Sequence, residues 1–335
     1  MLYSIGFIVC AVIIFFAGKK LSYYGDLLAE KTGLSKGWIG LILMASVTSL
    51  PELMVNISSV AFVESADLAV GNILGSCAFN LGILAMLDAF VPKRKTLLGL
   101  ASPSHMLSAG LGIVMMTLVG FSFFTPDGFD IAPWESLITV IFFIVYLVAI
   151  RIIYQKEKTD QLESSAKPDR SNSETRLLSL RSIITNYSIY AIIIILSALA
   201  LPYFADHIAE QTGLGKTFIG TFLLAISSSL PEIAVSVAAI RVQSIDMAIG
   251  NLLGSNIFNI LILALSDIFY SKGILFKDAS ILHMYSVLSS IMMSAIVIIG
   301  LSYRAKGKRF WMAWDALVIF LIYILNLIIL IRLSS

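Results

Sequence analysis

Charge is scarce in this chain of 335 residues: Asp, Glu, Lys and Arg make up 13%, against 58% apolar residues. Water-soluble domains carry about a quarter charged residues, so a soluble globule is disfavoured and the bilayer becomes the solvent to argue in. Cysteine is nearly absent. Cys10 and Cys77 both lie inside apolar stretches without C-x-x-C or Cys/His spacing, which excludes a disulfide framework and a zinc site and leaves small apolar packing.

What the chain does have is long apolar runs, each sufficient to cross about 30 Å of hydrocarbon as a helix of roughly 20 residues. Ten spans are expected, at about 2–18, 37–63, 68–91, 104–124, 134–153, 185–205, 217–241, 247–270, 282–302 and 312–332. The first lacks a basic start and an A-x-A cleavage pattern, and Lys19 and Lys20 follow it, so it reads as a retained anchor rather than a signal peptide.

Loop charge supports that count. One set of alternating loops holds Lys19, Lys20, Lys31, Lys36, Lys93, Arg94, Lys95, the cluster from Arg151 to Arg181, Arg241, Arg304, Lys306, Lys308 and Arg309, whereas the other holds Lys216, Lys272 and Lys277. The positive-inside bias makes the first set cytoplasmic and predicts a multi-pass cell-membrane protein with both termini extracellular or periplasmic.

A mixed-charge segment rich in Ser, at 154–184, reads as a cytoplasmic linker that separates 1–153 from 185–335, five spans each. Across it the halves match in order. Asp26 to Leu34 answers Asp206 to Leu214, Thr48-Ser49-Leu50-Pro51-Glu52 answers Ser228-Ser229-Leu230-Pro231-Glu232, and Gly71-Asn72-Ile73-Leu74-Gly75-Ser76 answers Gly250-Asn251-Leu252-Leu253-Gly254-Ser255. Further on, Ser104-His105-Met106 answers Leu282-His283-Met284, and Trp134-Glu135 answers Trp314-Asp315. An odd number of spans per half inverts the second copy. The expected fold class is therefore an all-α membrane protein of ten transmembrane helices in two inverted five-helix repeats, with helices 2 and 7 interrupted.

Both acid motifs fall at mid-depth, level with Ser76, Asn80, Ser255 and Asn259. Pro51 and Pro231 lack an N–H and favour a break just before them, which is expected to free carbonyls near Ala45 to Thr48 and Ala225 to Ser228. Hydroxyls, amides, carbonyls and two carboxylates, without thiol or imidazole, suit a hard cation such as calcium or sodium. A central acid costs very roughly 2.5–3.5 kcal/mol on insertion scales, which a duplicated coplanar pair would scarcely incur for packing alone. The alternative is that Ser, Thr and Asn serve as interhelical hydrogen-bond glue and the acids are buried protonated.

His105 and His283 match across the repeat but lie at span ends, where interfacial placement or hydrogen bonding is expected rather than metal ligation. Asp88 and Asp267 also end spans, as solvated or paired acids. The Gly71-x-x-x-Gly75 and Gly250-x-x-x-Gly254 spacings predict close helix packing beside the broken helices.

These motifs resemble those of the calcium/cation antiporter superfamily, nearest its prokaryotic sodium/calcium exchanger branch, over essentially the whole chain. The resemblance implies Glu52 and Glu232 as carboxylates shared by calcium and sodium. It further implies Thr48, Ser49, Ser228 and Ser229 as hydroxyl or carbonyl donors, backbone carbonyls of Ala45 and Ala225, and a wall of Ser76, Ser255, Asn80 and Asn259. Val47 and Ser227 stand where the family usually has Gly, Cys77 where the second copy has Asn256, and Asn259 where many relatives carry Asp. β-Branched Val47 is stiffer than Gly and bears on how the first half unwinds at its break.

The expected function is a sodium/calcium antiporter, with spans one and six sliding against the remainder as the resemblance implies. No enzyme activity, cofactor, nucleic acid or obligate protein partner is expected; the partners are calcium, sodium and the lipid bilayer. The alternatives are a proton- or potassium-coupled exchanger, a channel, and an intramembrane hydrolase using Ser49 or Ser229, which would need a base that no mid-depth His or Lys supplies.

Overall fold

Backbone in hydrocarbon must satisfy its own hydrogen bonds, and the apolar runs do so as helices. The computed structural model describes residues 2–32, 45–92, 94–124, 130–132, 135–164, 179–213, 216–241, 245–305, 307–308 and 310–334. The first half holds α1 (Leu2–Thr32), α2 (Ala45–Thr48), α3 (Leu50–Ala61), α4 (Ala66–Asp88), α5 (Leu97–Leu100), α6 (His105–Ser122) and α7 (Leu137–Ser164). A small antiparallel ladder, β1 (Asp130–Ala132) with β2 (Glu135–Ser136), precedes α7.

The second half holds α8 (Leu180–Thr212), α9 (Lys216–Ile219), a π-helical turn at Gly220–Leu224, α10 (Ala225–Ser228), α11 (Leu230–Arg241), α12 (Ile245–Phe269), α13 (Leu275–Asp278), α14 (His283–Tyr303) and α15 (Trp314–Ser334). Among the described residues eight helices are long and apolar enough to cross a bilayer, or nine if the pair Thr217–Ser228 and Leu230–Arg241, bent by 43°, is one span. The expected span 37–63 is described only from Ala45; 37–44 lies outside the described residues, as does 165–178 of the linker.

Hydropathy marks where the membrane ends, not where a helix ends. Thus α1 continues beyond the expected 2–18 to Thr32, with Leu21 and Leu27 still buried. The linker expected at 154–184 is helical as far as Ser164 and again from Leu180, because Gln155, Lys156, Glu157 and Lys158 are good helix formers.

The helices α4 and α12 form the centre: 94% and 72% of their spans are buried, against 22% for α7, so neither has a polar face turned to water. Around them α1 and α8 pack antiparallel, Tyr3 against Tyr203 at one end and Tyr24 stacked on Tyr190 at the other. Gly75 permits the closest approach in the centre, since a Cβ there would lie 2.3 Å from the Thr221 carbonyl of the π turn.

The acids at the span ends are paired rather than solvated. Asp88 accepts from the backbone N–H of Leu97 and of Ala313, each at 2.7 Å, and pairs with Lys308 at 3.3 Å. Asp267 accepts from the N–H of Leu275 at 2.7 Å and from the Thr139 hydroxyl. Each tethers a short surface helix to the end of a central one. Asp267→Asn turns an amide N–H toward one of these donors and should cost about 1.5–3 kcal/mol, read as a lowered thermal midpoint of the detergent-solubilised protein; an unchanged midpoint would contradict this role.

The two histidines also serve packing. His105 meets Asp246 and His283 meets Asp67, each Nε2 to Oδ1 at 3.1 Å, so each links the start of a peripheral helix to the start of the central helix in the other half.

Candidate ion site

The expected helix breaks occur at equivalent serines with nearly equal geometry: Ser49 has φ −86° and ψ 8°, and Ser229 has φ −84° and ψ 12°. Val47 therefore does not alter the first break; its side chain is buried two residues before the backbone turns. Of the carbonyls expected to be freed, at Ala45 to Thr48 and Ala225 to Ser228, the first in each set keeps its partner. Ala45 O still accepts from Ser49 N at 3.0 Å, and Ala225 O from Ser229 N at 3.1 Å. Pro51 and Pro231 instead deny an i+4 donor to the carbonyls of Val47 and Ser227, because that is where their missing N–H would point.

Each break also begins a new helix, α3 or α11, and sets Glu52 or Glu232 in its first turn. There the helix dipole favours an anion, so the interruption offsets part of the desolvation of its own acid. Both glutamates are completely buried.

The halves then cross. Ser229 Oγ donates to Glu52 Oε1 at 2.7 Å, and Ser49 Oγ to Glu232 Oε1 at 3.3 Å. Ser76 on α4 reaches Glu52 Oε1 at 3.5 Å, and Ser255 on α12 reaches Glu232 Oε1 at 3.3 Å. Thr48 Oγ1 lies 3.4 Å from Ser255 Oγ, and Ser76 Oγ lies 3.4 Å both from Ser228 Oγ and from the Ala225 carbonyl. Thr48 Oγ1 also donates to the Ala45 carbonyl at 3.3 Å. Ten of the twelve candidate residues thus form two five-residue hydrogen-bonded clusters, one around each carboxyl, and each draws residues from both halves.

The other two stand one helical turn further along. Asn80 donates Nδ2 to Asn256 Oδ1 at 3.0 Å, while the Asn259 side chain has the Cys77 thiol beside it. Four oxygens of this group are buried without a hydrogen-bond partner: Glu52 Oε2, Glu232 Oε2, Asn80 Oδ1 and Asn259 Oδ1. Buried polar atoms are nearly always partnered, so these four acceptors suit a ligand that accepts electron pairs, and Asn259 Nδ2 is likewise without a partner.

Sequence reasoning missed the amides behind this wall. Asn72 Oδ1 accepts from Ser228 Oγ at 3.0 Å and its Nδ2 donates to Asn56 Oδ1 at 2.6 Å, while Asn251 Oδ1 accepts from Thr48 Oγ1 at 3.4 Å. The signal was present: Asn72-Ser76-Asn80 and Asn251-Ser255-Asn259 recur at i, i+4, i+8, a polar stripe on one face of each central helix. Asp88, Asp267, His105 and His283 have partners elsewhere, and among the described residues no group of three or more His, Cys, Asp or Glu could hold a metal. Charge in the chamber comes from two acids, the remaining donors being neutral oxygens of the kind hard cations accept.

A helical membrane protein with this buried, oxygen-lined centre belongs to the class that handles ions within the bilayer. The family profile described as sodium/calcium exchanger protein matches residues 2–151 and 183–332, and the chain belongs to that family, in the calcium/cation antiporter superfamily. The sodium/calcium exchanger MaX1 of Methanosarcina acetivorans is 26% identical over 361 aligned positions, covering 98% of this chain and 99% of its own. Among solved structures, the sodium-calcium exchanger NCX_Mj soaked with 2.5 mM Na+ and 1 mM Sr2+ is similar with a TM-score of 0.62 at 22% identity, covering 98% of both chains. The H+/Ca2+ exchanger CAX is similar with a TM-score of 0.68 at 14% identity, covering 99% of this chain and 86% of that one. At such identities the structures share the fold.

Proposed function

We propose that this chain exchanges sodium for calcium across the cell membrane by alternating access, through a chamber built on Glu52 and Glu232. The carrying observation is the set of four unpartnered buried oxygens, two carboxylate and two amide, contributed by both halves. The crossed Ser49–Glu232 and Ser229–Glu52 bonds support the inverted five-plus-five arrangement of ten spans, as does the profile's matching each half separately. In that arrangement both termini face outward and 154–184 is cytoplasmic.

Exchange follows from competition. An uncompensated pair of buried carboxylates is costly to carry through apolar surroundings, so conversion between outward- and inward-open states is favoured when calcium or sodium neutralises them. Ala45, Thr48, Ser49, Ser76, Asn80, Ala225, Ser228, Ser229, Ser255 and Asn259 supply neutral oxygens that replace lost hydration. Coupling to protons or potassium is the alternative, and the likeness to CAX keeps that fold in view. Against it, Asn259 in place of an acid leaves two central charges rather than three.

Calcium uptake into vesicles containing the purified protein separates the readings. An outward sodium gradient is expected to drive uptake that imposed pH and potassium gradients leave unchanged. Uptake driven by a pH or potassium gradient without sodium would overturn sodium coupling.

A further inference from the structure

Away from the ion site, α1 and α8 border an open surface cavity of about 650 Å³. Val12, Phe16, Lys19, Lys20 and Tyr23 recur at three- and four-residue intervals on α1, so they share the face that lines it, opposite Tyr190 and Ile193 of α8. Along this stripe the chemistry changes in one direction. Its first part is apolar and outward-facing, with Val12 48% and Phe16 64% exposed. Lys19 and Lys20 follow, then Tyr23.

The lysines fall at the end of the apolar span Tyr3–Leu21, while the helix itself continues to Thr32. They therefore sit where hydrocarbon gives way to head groups, with stems along apolar surface and ammoniums extended toward the polar layer. Both are exposed, and among the described residues no ion pair reaches either. Tyr190, stacked on Tyr24, supplies the amphipathic ring expected at that level.

We propose that this cavity binds one anionic glycerophospholipid of the surrounding bilayer, an acyl chain lying against Val12, Phe16 and Ile193 and the phosphate between Lys19 and Lys20. Apolar wall, paired exposed cations and interfacial tyrosines follow one another in the order of a lipid's tail, phosphate and head group. The bound lipid bridges α1 and α8, and so bears on two helices that contribute no side chain to the ion chamber.

The test uses the full chain in detergent, titrated with phosphatidylglycerol or phosphatidylcholine of the same acyl composition and read by native mass spectrometry. With roughly fivefold per lysine near the head-group layer, phosphatidylglycerol is expected to be retained roughly thirtyfold more strongly. Lys19→Gln with Lys20→Gln should abolish that preference and leave phosphatidylcholine retention and the thermal midpoint unchanged. Arg181→Gln, on α8 but outside the cavity, should preserve it, and Ile193→Trp should reduce retention of both lipids. Glycerol phosphate, which has no tail, should not compete. Equal retention of the two lipids by the unmodified protein, an undiminished preference in the double lysine variant, or competition by glycerol phosphate would overturn the proposal.

Discussion

Replacing Glu52 or Glu232 by glutamine is expected to abolish sodium-driven calcium uptake while leaving the protein folded. The two effects separate because the two carboxyl oxygens are used differently. Glu52 Oε1 accepts from Ser229 and Ser76, and Glu232 Oε1 from Ser49 and Ser255. A glutamine carbonyl retains those bonds. Each Oε2 has no hydrogen-bond partner, so an amide group in its place breaks none. Removing a charge from a low-dielectric interior is itself neutral or stabilising, and the thermal midpoint should hold or rise.

Ion binding has no such compensation. Two unit charges about 4 Å apart at an effective dielectric of about 20 attract by about 4 kcal/mol, and a divalent ion doubles that Coulomb figure before dehydration is subtracted. A net loss of about 4 kcal/mol weakens calcium about a thousandfold. Sodium, with half the charge, suffers less, which tilts the competition and uncouples exchange. Calcium uptake under a fixed sodium gradient, compared among wild type and the two single variants at equal protein per vesicle, reads the result. Coupled uptake at the wild-type rate in either variant would remove that carboxylate from the site.

Much of this chamber was legible because hydrocarbon is an unforgiving background. A glutamate after a proline at mid-span stands out, and its recurrence in matching context after the linker converts an oddity into a pattern. The breaks at Ser49 and Ser229 followed from what proline cannot donate. What escaped the sequence has other causes. Which carbonyl a proline frees depends on counting back four residues, and the nearby Ala45 and Ala225 keep their partners. Asn72 and Asn251 sit inside glycine motifs whose obvious reading was packing. Asp88 finds its lysine and one of its amides in the connection between α14 and α15, beyond any local periodicity.

The π turn at Gly220–Leu224 is a backbone property that no residue type announces. It carries the Thr221 carbonyl into van der Waals contact with α4, where only a residue without a side chain fits. The symmetry of the breaks thus coexists with a wall whose second-half geometry was visible only in coordinates.

That contact makes Gly75→Ala the substitution with the largest expected structural effect. The added Cβ would lie 2.3 Å from Thr221 O and 2.7 Å from both Thr221 Cα and Ala225 Cβ. Two of these neighbours are backbone and the third is a methyl fixed to it, so no rotamer relieves the overlap and α4 must move away from α10. Overpacking of this kind costs about 1–3 kcal/mol, and rigid neighbours place it at the upper end. The displacement also has a functional consequence, because the next residue is Ser76, whose hydroxyl stands 3.4 Å from both the Ala225 carbonyl and Ser228 Oγ.

A lower thermal midpoint and a loss of calcium exchange should therefore appear together in Gly75→Ala. Gly110→Ala in α6 is the control, since a Cβ there meets nothing within 4 Å. It should retain exchange and gain about 0.5–1 kcal/mol from the smaller conformational entropy of alanine. If Gly75→Ala proves as stable and as active as Gly110→Ala, the close approach of α4 to the π turn does not exist in the membrane. The placement of Ser76 against the second half's broken helix would then have to be redrawn with it.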